Sequence, residues 1–170
     1  MATVGFLSLA YMRKLTRLVI AISELGGGAL LMGASAFASL TRIHFPAWYL
    51  LLIESLGVIA LIAGYRLIQN RSQGFSLSLS LQVSQLFQFF LPKFLYRVIL
   101  GPYLIIIFSA DATLISPGFK GELTIGWKGP PSVAFGFNVV AAVMCFLLAR
   151  AILAQRRVAH TQENRPEPGL

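Results

Sequence analysis

The sequence predicts an α-helical polytopic membrane protein with four transmembrane helices and a small extracytoplasmic β element between helices 3 and 4. Three observations predict it. Of the 170 residues, 56% are hydrophobic and only 12% are charged, where soluble domains carry roughly 25% charged residues; too little polar surface remains to solvate a compact particle. The mean hydropathy is +0.75, which excludes disorder over most of the length. The apolar residues fall in runs close to the roughly 20 residues needed to cross hydrocarbon, with basic residues between and beside them.

The net charge of +8 is therefore read as a set of topology determinants and contacts to anionic lipid headgroups on the cytoplasmic side. No RNA-binding signature, zinc-finger spacing or long basic run supports nucleic acid as a partner. The single cysteine, Cys145, excludes an intrachain disulfide scaffold.

Residues 1–17 read as an interfacial segment and basic anchor. Met1 to Met12 is apolar, and Arg13, Lys14 and Arg17 follow it rather than precede it, unlike a cleaved signal peptide. Residues 18–101 hold transmembrane helices 1–3. The first runs from about Leu18 to Leu40 with Glu24 its only charge, and the second from about Ala47 to Ile68 with Glu54 its only charge before Arg66. Between them lies a short turn, followed by Trp48 and Tyr49, placed as an interfacial aromatic belt. A polar loop, Gln69 to Gly74, closes this helical hairpin.

The third span has two placements. One is a polar-faced helix from about Gly74 to Arg97; the other crosses from Phe94 to Ala110 and leaves Phe75 to Phe90 on the surface. Pro102 in mid-helix and the β-branched run Ile105 to Ile107 favour the first; the bias of basic residues to the cytoplasmic side favours the second. Residues 102–131 read as the β-rich segment, with a turn at Ser116-Pro117-Gly118 and alternation through Leu123, Ile125 and Trp127. Transmembrane helix 4 occupies 132–155, and 156–170 is read as a disordered cytoplasmic tail. The distribution of lysine and arginine puts both termini in the cytoplasm, and a bacterial inner membrane is the expected location.

Acidic side chains inside a span cost roughly 2.5–3.5 kcal/mol to insert, so Glu24 and Glu54 are the candidate intramembrane functional residues. Gly26, Ala29, Gly33 and Ala36 recur at helical spacing in the first span, and Gly57, Ala60 and Gly64 in the second. These are expected to be helix-packing seams. Ser80, Gln82, Ser84, Gln85 and Gln88 form a candidate polar helix face, with Asn138 in the last span as its partner. No catalytic constellation, metal-ligand spacing or cofactor motif is found: His44 and His160 fall in different segments and Cys145 is remote from both. The expected role is non-enzymatic, as an accessory, assembly or interaction protein of the bilayer, within a homo-oligomer or a larger membrane complex. The alternative is a transporter or channel component using Glu24, Glu54 and the polar third helix.

Overall fold

The structure is a computed structural model that describes residues 2–41, 45–127 and 129–163, with side chains from residue 14 to 154. Eight elements follow in order: α1 (Ala2–Leu40), α2 (Ala47–Ile68), α3 (Ser72–Ser84), β1 (Phe87–Leu91), β2 (Phe94–Ser109), β3 (Thr113–Gly126), β4 (Ala134–Asn138) and α4 (Val139–Glu163). Two stretches of helix, Lys14–Leu40 and Ala47–Ile68, are long and apolar enough to cross a membrane.

This overturns the four-helix polytopic class. The described residues hold four helices, but α3 has 13 residues, about 20 Å at 1.5 Å per residue, too short for hydrocarbon about 30 Å thick. The apolar part of α4, Val139–Ala154, is also shorter than a span. In place of a third span the chain forms a four-stranded antiparallel sheet. Neither 74–97 nor 94–110 is a helix: α3 stops at Ser84 and extended backbone begins at Phe87. The aromatic run Phe87 to Phe90 and the β-branched residues of β2 suit a pleated surface, and Pro92-Lys93 makes the first hairpin turn. Strand therefore starts at 87 rather than 102. The last helix starts at Val139 rather than 132, because Ala134 to Asn138 pairs as β4. Helix also continues through residues 156–163, where the composition predicts a disordered tail. Arg42 to His44, Lys128 and residues 164–170 lie outside the described residues.

The sheet closes on itself. β1 is antiparallel to β2 through Phe89↔Tyr96, and β4 is antiparallel to both, through Phe87↔Phe137 and Ile106↔Phe137. Two antiparallel strands cannot both be antiparallel to a third unless one reverses direction. β2 is that strand: its first half runs beside β1 and its second half beside β4. Gly101-Pro102 lies between the halves. Gly101 has φ +91°, a conformation that glycine adopts without a Cβ penalty. β3 follows β2 around the bend, in register from Leu95↔Gly126 to Phe108↔Thr113.

Between Tyr96 and Ile105, β2 has a strand neighbour only on the β3 side. Its remaining N–H groups need other acceptors, because an unpaired buried donor costs about 1–3 kcal/mol. The Leu100 N–H donates to Gln85 Oε1 at 2.7 Å, the Leu104 N–H donates to Asn138 Oδ1 at 3.4 Å, and Pro102 between them has no N–H to satisfy. Asn138 Oδ1 also accepts from the Ala141 N–H at 3.3 Å, as an N-cap side chain does. One amide thus supports the bend and starts α4.

Two apolar clusters bind the layers together. Leu31, Ile53, Ala60, Leu81, Val98, Leu100 and Leu123 join the α1–α2 hairpin to the sheet and α3. Ile20, Leu67, Phe75, Met144 and Leu148 join all four helices at the other end.

Candidate functional site

The α1–α2 contact is made through small residues. A Cβ on Gly28 would meet Gly57 O at 2.9 Å, and one on Gly64 would meet Ala21 O at 2.8 Å. Gly57, Ala60 and Gly64 of the expected seam are buried here. The α1 partner face is not the one read from the sequence. Ala29, Gly33 and Ala36 are exposed, and a Cβ on Gly33 would meet nothing within 4 Å. Gly26 is half-buried against the Phe119 ring. The face in use is Gly27-Gly28 and Leu31, turned one residue around the helix. A Cβ on Gly27 would strike Leu100 and Gly101 backbone, and one on Gly121 would strike Gly27 and Leu31 backbone. The bend of β2 is thus pressed directly onto the middle of α1.

Next to this contact sits Glu24, fully buried. Ser78 Oγ donates to its Oε2 at 2.7 Å and Gln82 Nε2 donates to its Oε1 at 3.4 Å. Helical spacing of four in α3 places both donors on the face toward α1. Both carboxyl oxygens are engaged. Glu54 lies elsewhere: it is exposed on α2 and accepts from Ser35 Oγ at 3.4 Å. The two carboxyls share no site.

The expected polar face is divided among three tasks. Gln82 meets Glu24; Gln85, just past the end of α3, and Asn138, at the end of β4, hold the bent strand. Gln88 belongs to β1 and is fully buried, with Oε1 and Nε2 unpartnered. Ser80 and Ser84 bond backbone of their own helix, to Ser76 O at 3.1 Å and Leu81 O at 2.7 Å. Asn138 is a strand residue here, where a place in the last transmembrane helix was expected.

On the sheet, three charged side chains form a cluster absent from the sequence reading. Arg97 Nε lies 3.7 Å from Glu122 Oε1, and Lys120 pairs with Glu122 Oε2. Thr124 Oγ1 donates to Glu122 Oε1 at 3.0 Å, and Lys120 stacks over the Tyr103 ring at 5.3 Å. Partial burial pushes the Glu122 carboxyl up; the Lys120 hydrogen bond, the Arg97 and Lys120 charges and the Thr124 hydroxyl outweigh it, so the net displacement is downward. Two cations share one carboxylate, which leaves a surplus positive charge. The spacing of Lys120, Glu122 and Thr124 along one strand face was readable from period two; the cross-strand partner Arg97 was not.

Beyond the cluster the sheet exposes apolar side chains. Phe87, Phe89 and Phe135 stack with centroids 5.6 Å apart in successive pairs and remain 43%, 37% and 37% exposed. Leu114, Ile115 and Phe119 are exposed on β3. Two cavities flank the basic end of the helices: one of about 110 Å³ lined by Lys14, Arg17, Leu18 and Ile68, and one of about 400 Å³ lined by Arg66, Ser72, Gln73, Ser76 and Leu77. Among the described residues no group of three or more histidine, cysteine, aspartate or glutamate side chains could hold a metal ion.

No protein-family model, curated protein or solved structure matches this chain.

Proposed function

We propose that this chain is a membrane-integral, non-enzymatic accessory protein that presents its bent sheet to a protein partner alongside the helical hairpin. One observation carries this reading: the sheet docks at mid-height of α1, through Gly27 against Leu100 and Gly101, and leaves the aromatic triad of β1 and β4 exposed on one face and a partly exposed cluster with a surplus positive charge on the other. If Lys14–Leu40 and Ala47–Ile68 cross the bilayer, that surface stands beside lipid. A net charge there is costly unless an opposite charge meets it. An assembly partner carrying a carboxylate, flanked by apolar residues, supplies both complements. The location that goes with this reading is a bacterial inner membrane, with the basic helix ends on the cytoplasmic side.

The engagement of both Glu24 oxygens and the separation of Glu54 also support a packing role for these carboxyls over transport. The test has two arms. A photo-crosslinking residue at Phe135 is expected to yield a discrete protein adduct in intact membranes, and one at Ile59, on the exposed face of α2, is not. In proteoliposomes, proton and cation flux is expected to equal that of protein-free vesicles. Flux that Glu24→Gln abolishes, with no adduct at residue 135, would overturn the reading in favour of a transporter.

A further inference from the structure

The cytoplasmic end of the helices carries a feature that the sheet-docking reading does not use. Four described basic side chains gather there: Lys14 and Arg17 on α1, and Arg66 and Arg71 at the α2–α3 turn. The turn brings them level, since Ile68 lines one cavity with Lys14 and Arg17, and Ser72 and Ser76 line the other with Arg66. Both described ion pairs of the molecule lie on the sheet, so no described acidic side chain neutralises this end. Glu24, the nearest along α1, faces inward and is fully buried.

The cavity of about 110 Å³ between the ends of α1 and α2 is lined by two basic and two apolar side chains, Lys14, Arg17, Leu18 and Ile68. Leu18 and Ile68 are 43% and 45% exposed, and Val19, Ile22, Ile62 and Tyr65 are exposed farther along the hairpin. A ligand that suits it has an anionic head for the basic pair and hydrocarbon for the apolar pair. Arg17 offers a planar set of donors that matches phosphate oxygens, and Lys14 a mobile point charge. A soluble anion would use the basic pair alone and leave the apolar pair wet.

We infer that this α1–α2 cavity is a headgroup site for an anionic phospholipid, with the phosphate between Lys14 and Arg17 and the acyl chains against Leu18 and Ile68. The inference rests on the membrane reading of the hairpin and adds to it a specific lipid partner at a specific place.

The experiment uses the full chain in phosphatidylcholine vesicles containing a trace of spin-labelled lipid. The label is carried on phosphatidylglycerol in one arm and on phosphatidylcholine in the other. Motionally restricted label in both arms, with a clear preference for phosphatidylglycerol, is the expected result. The Lys14→Gln/Arg17→Gln double variant is expected to lose that preference by about thirtyfold at low salt, the factor that corresponds to about 1 kcal/mol for each of the two basic residues near an anionic surface. Lys120→Gln, at the sheet, is expected to keep it. Restricted label without preference, or a preference that the double variant retains, would overturn the inference and leave the membrane reading standing. No restricted label in either arm would remove the membrane reading and the inference with it. Inorganic phosphate that abolishes the preference at an ionic strength where chloride does not would assign Lys14 and Arg17 to a free anion, and would also overturn the inference.

Discussion

Gly27→Ala and Gly33→Ala make the same chemical change six residues apart on α1, and they should move stability in opposite directions. In both, alanine raises helix propensity by about 1 kcal/mol. At Gly33 nothing lies within 4 Å of the new methyl group, so that gain is all there is. At Gly27 the methyl group would sit 2.6 Å from Leu100 C and 2.8 Å from Leu100 Cα. These are backbone atoms at the bend of β2, held by Gln85 and by the β3 ladder, and no rotamer change relieves the overlap. The strand must recede by about 1 Å or more to regain ordinary contact, because Gly101 N lies closer still. Overpacking costs about 1–3 kcal/mol, and a backbone obstacle puts this site at the upper end, so the net loss is about 2 kcal/mol. For a chain of this length each kcal/mol moves Tm by about 2–4 °C. Gly27→Ala should therefore lower Tm by about 4–8 °C and Gly33→Ala raise it by about 2–4 °C. The assay is thermal unfolding in one detergent at one scan rate. Equal shifts for the two variants would refute the docking of the sheet on α1 at Gly27.

Three further outcomes follow from the geometry. Gln85→Leu deprives the buried Leu100 N–H of its acceptor and should cost about 1–3 kcal/mol, read as a lower Tm together with faster amide exchange at Leu100; unchanged exchange would show that the bend does not depend on Gln85. Asn138→Ala removes the acceptor for both Leu104 and Ala141 and should cost at least the ~1 kcal/mol of a lost helix cap, whereas Asn138→Asp keeps the acceptor and should be milder; equal losses would contradict the capping role. Glu122 has a folded-state pKa below its ordinary value, so its contribution is present above the unfolded pKa and is lost as pH falls through the lowered folded value; wild-type Tm should therefore drop more steeply than that of Glu122→Gln on acidification below the ordinary carboxylate range, and parallel profiles would refute the ion cluster's role.

The hairpin was legible in the sequence because its signal is length: two apolar runs, each with one internal charge and basic flanks, separated by a turn. That α1 and α2 pack through glycine and alanine was also legible, but the α1 face was misjudged by one residue. The run Gly26 to Gly28 offers three adjacent candidates, and periodicity alone cannot choose among them when the decisive contact, Gly27 with Gly101, lies across 74 residues of chain. The third span failed for a different reason. Between Gly74 and Ala110 the chain is apolar enough for a membrane helix, and a strand that is buried on one face and exposes phenylalanine on the other has no clean alternation. In the sequence Pro102 speaks only against a helix from Phe94 to Ala110; with Gly101 it is the bend of a strand. The polar residues Gln82, Gln85, Gln88 and Asn138 were seen, but their use was not, because the donors of Leu100 and Leu104 come into being only when the strand turns. Arg97 meets Glu122 through a pairing register that no local pattern encodes.

The closure of the sheet by β4 has a consequence for how the chain reaches this state. The hairpin of α1 and α2 is complete by Ile68, and the long β2–β3 ladder is local once its turn forms. The five residues of β4 must then return to pair with β1, 50 residues back through Phe87↔Phe137, and with the second half of β2 at the same moment. Closing a long loop is entropically costly before its contacts form, and folding rates fall as contacts become less local. The seating of β4 is therefore the natural slow step, and because α4 begins at the next residue, the last helix docks only when that step is complete. A chain that ends at Gly126 would hold both hairpins and still lack the strand that joins β1 to the second half of β2.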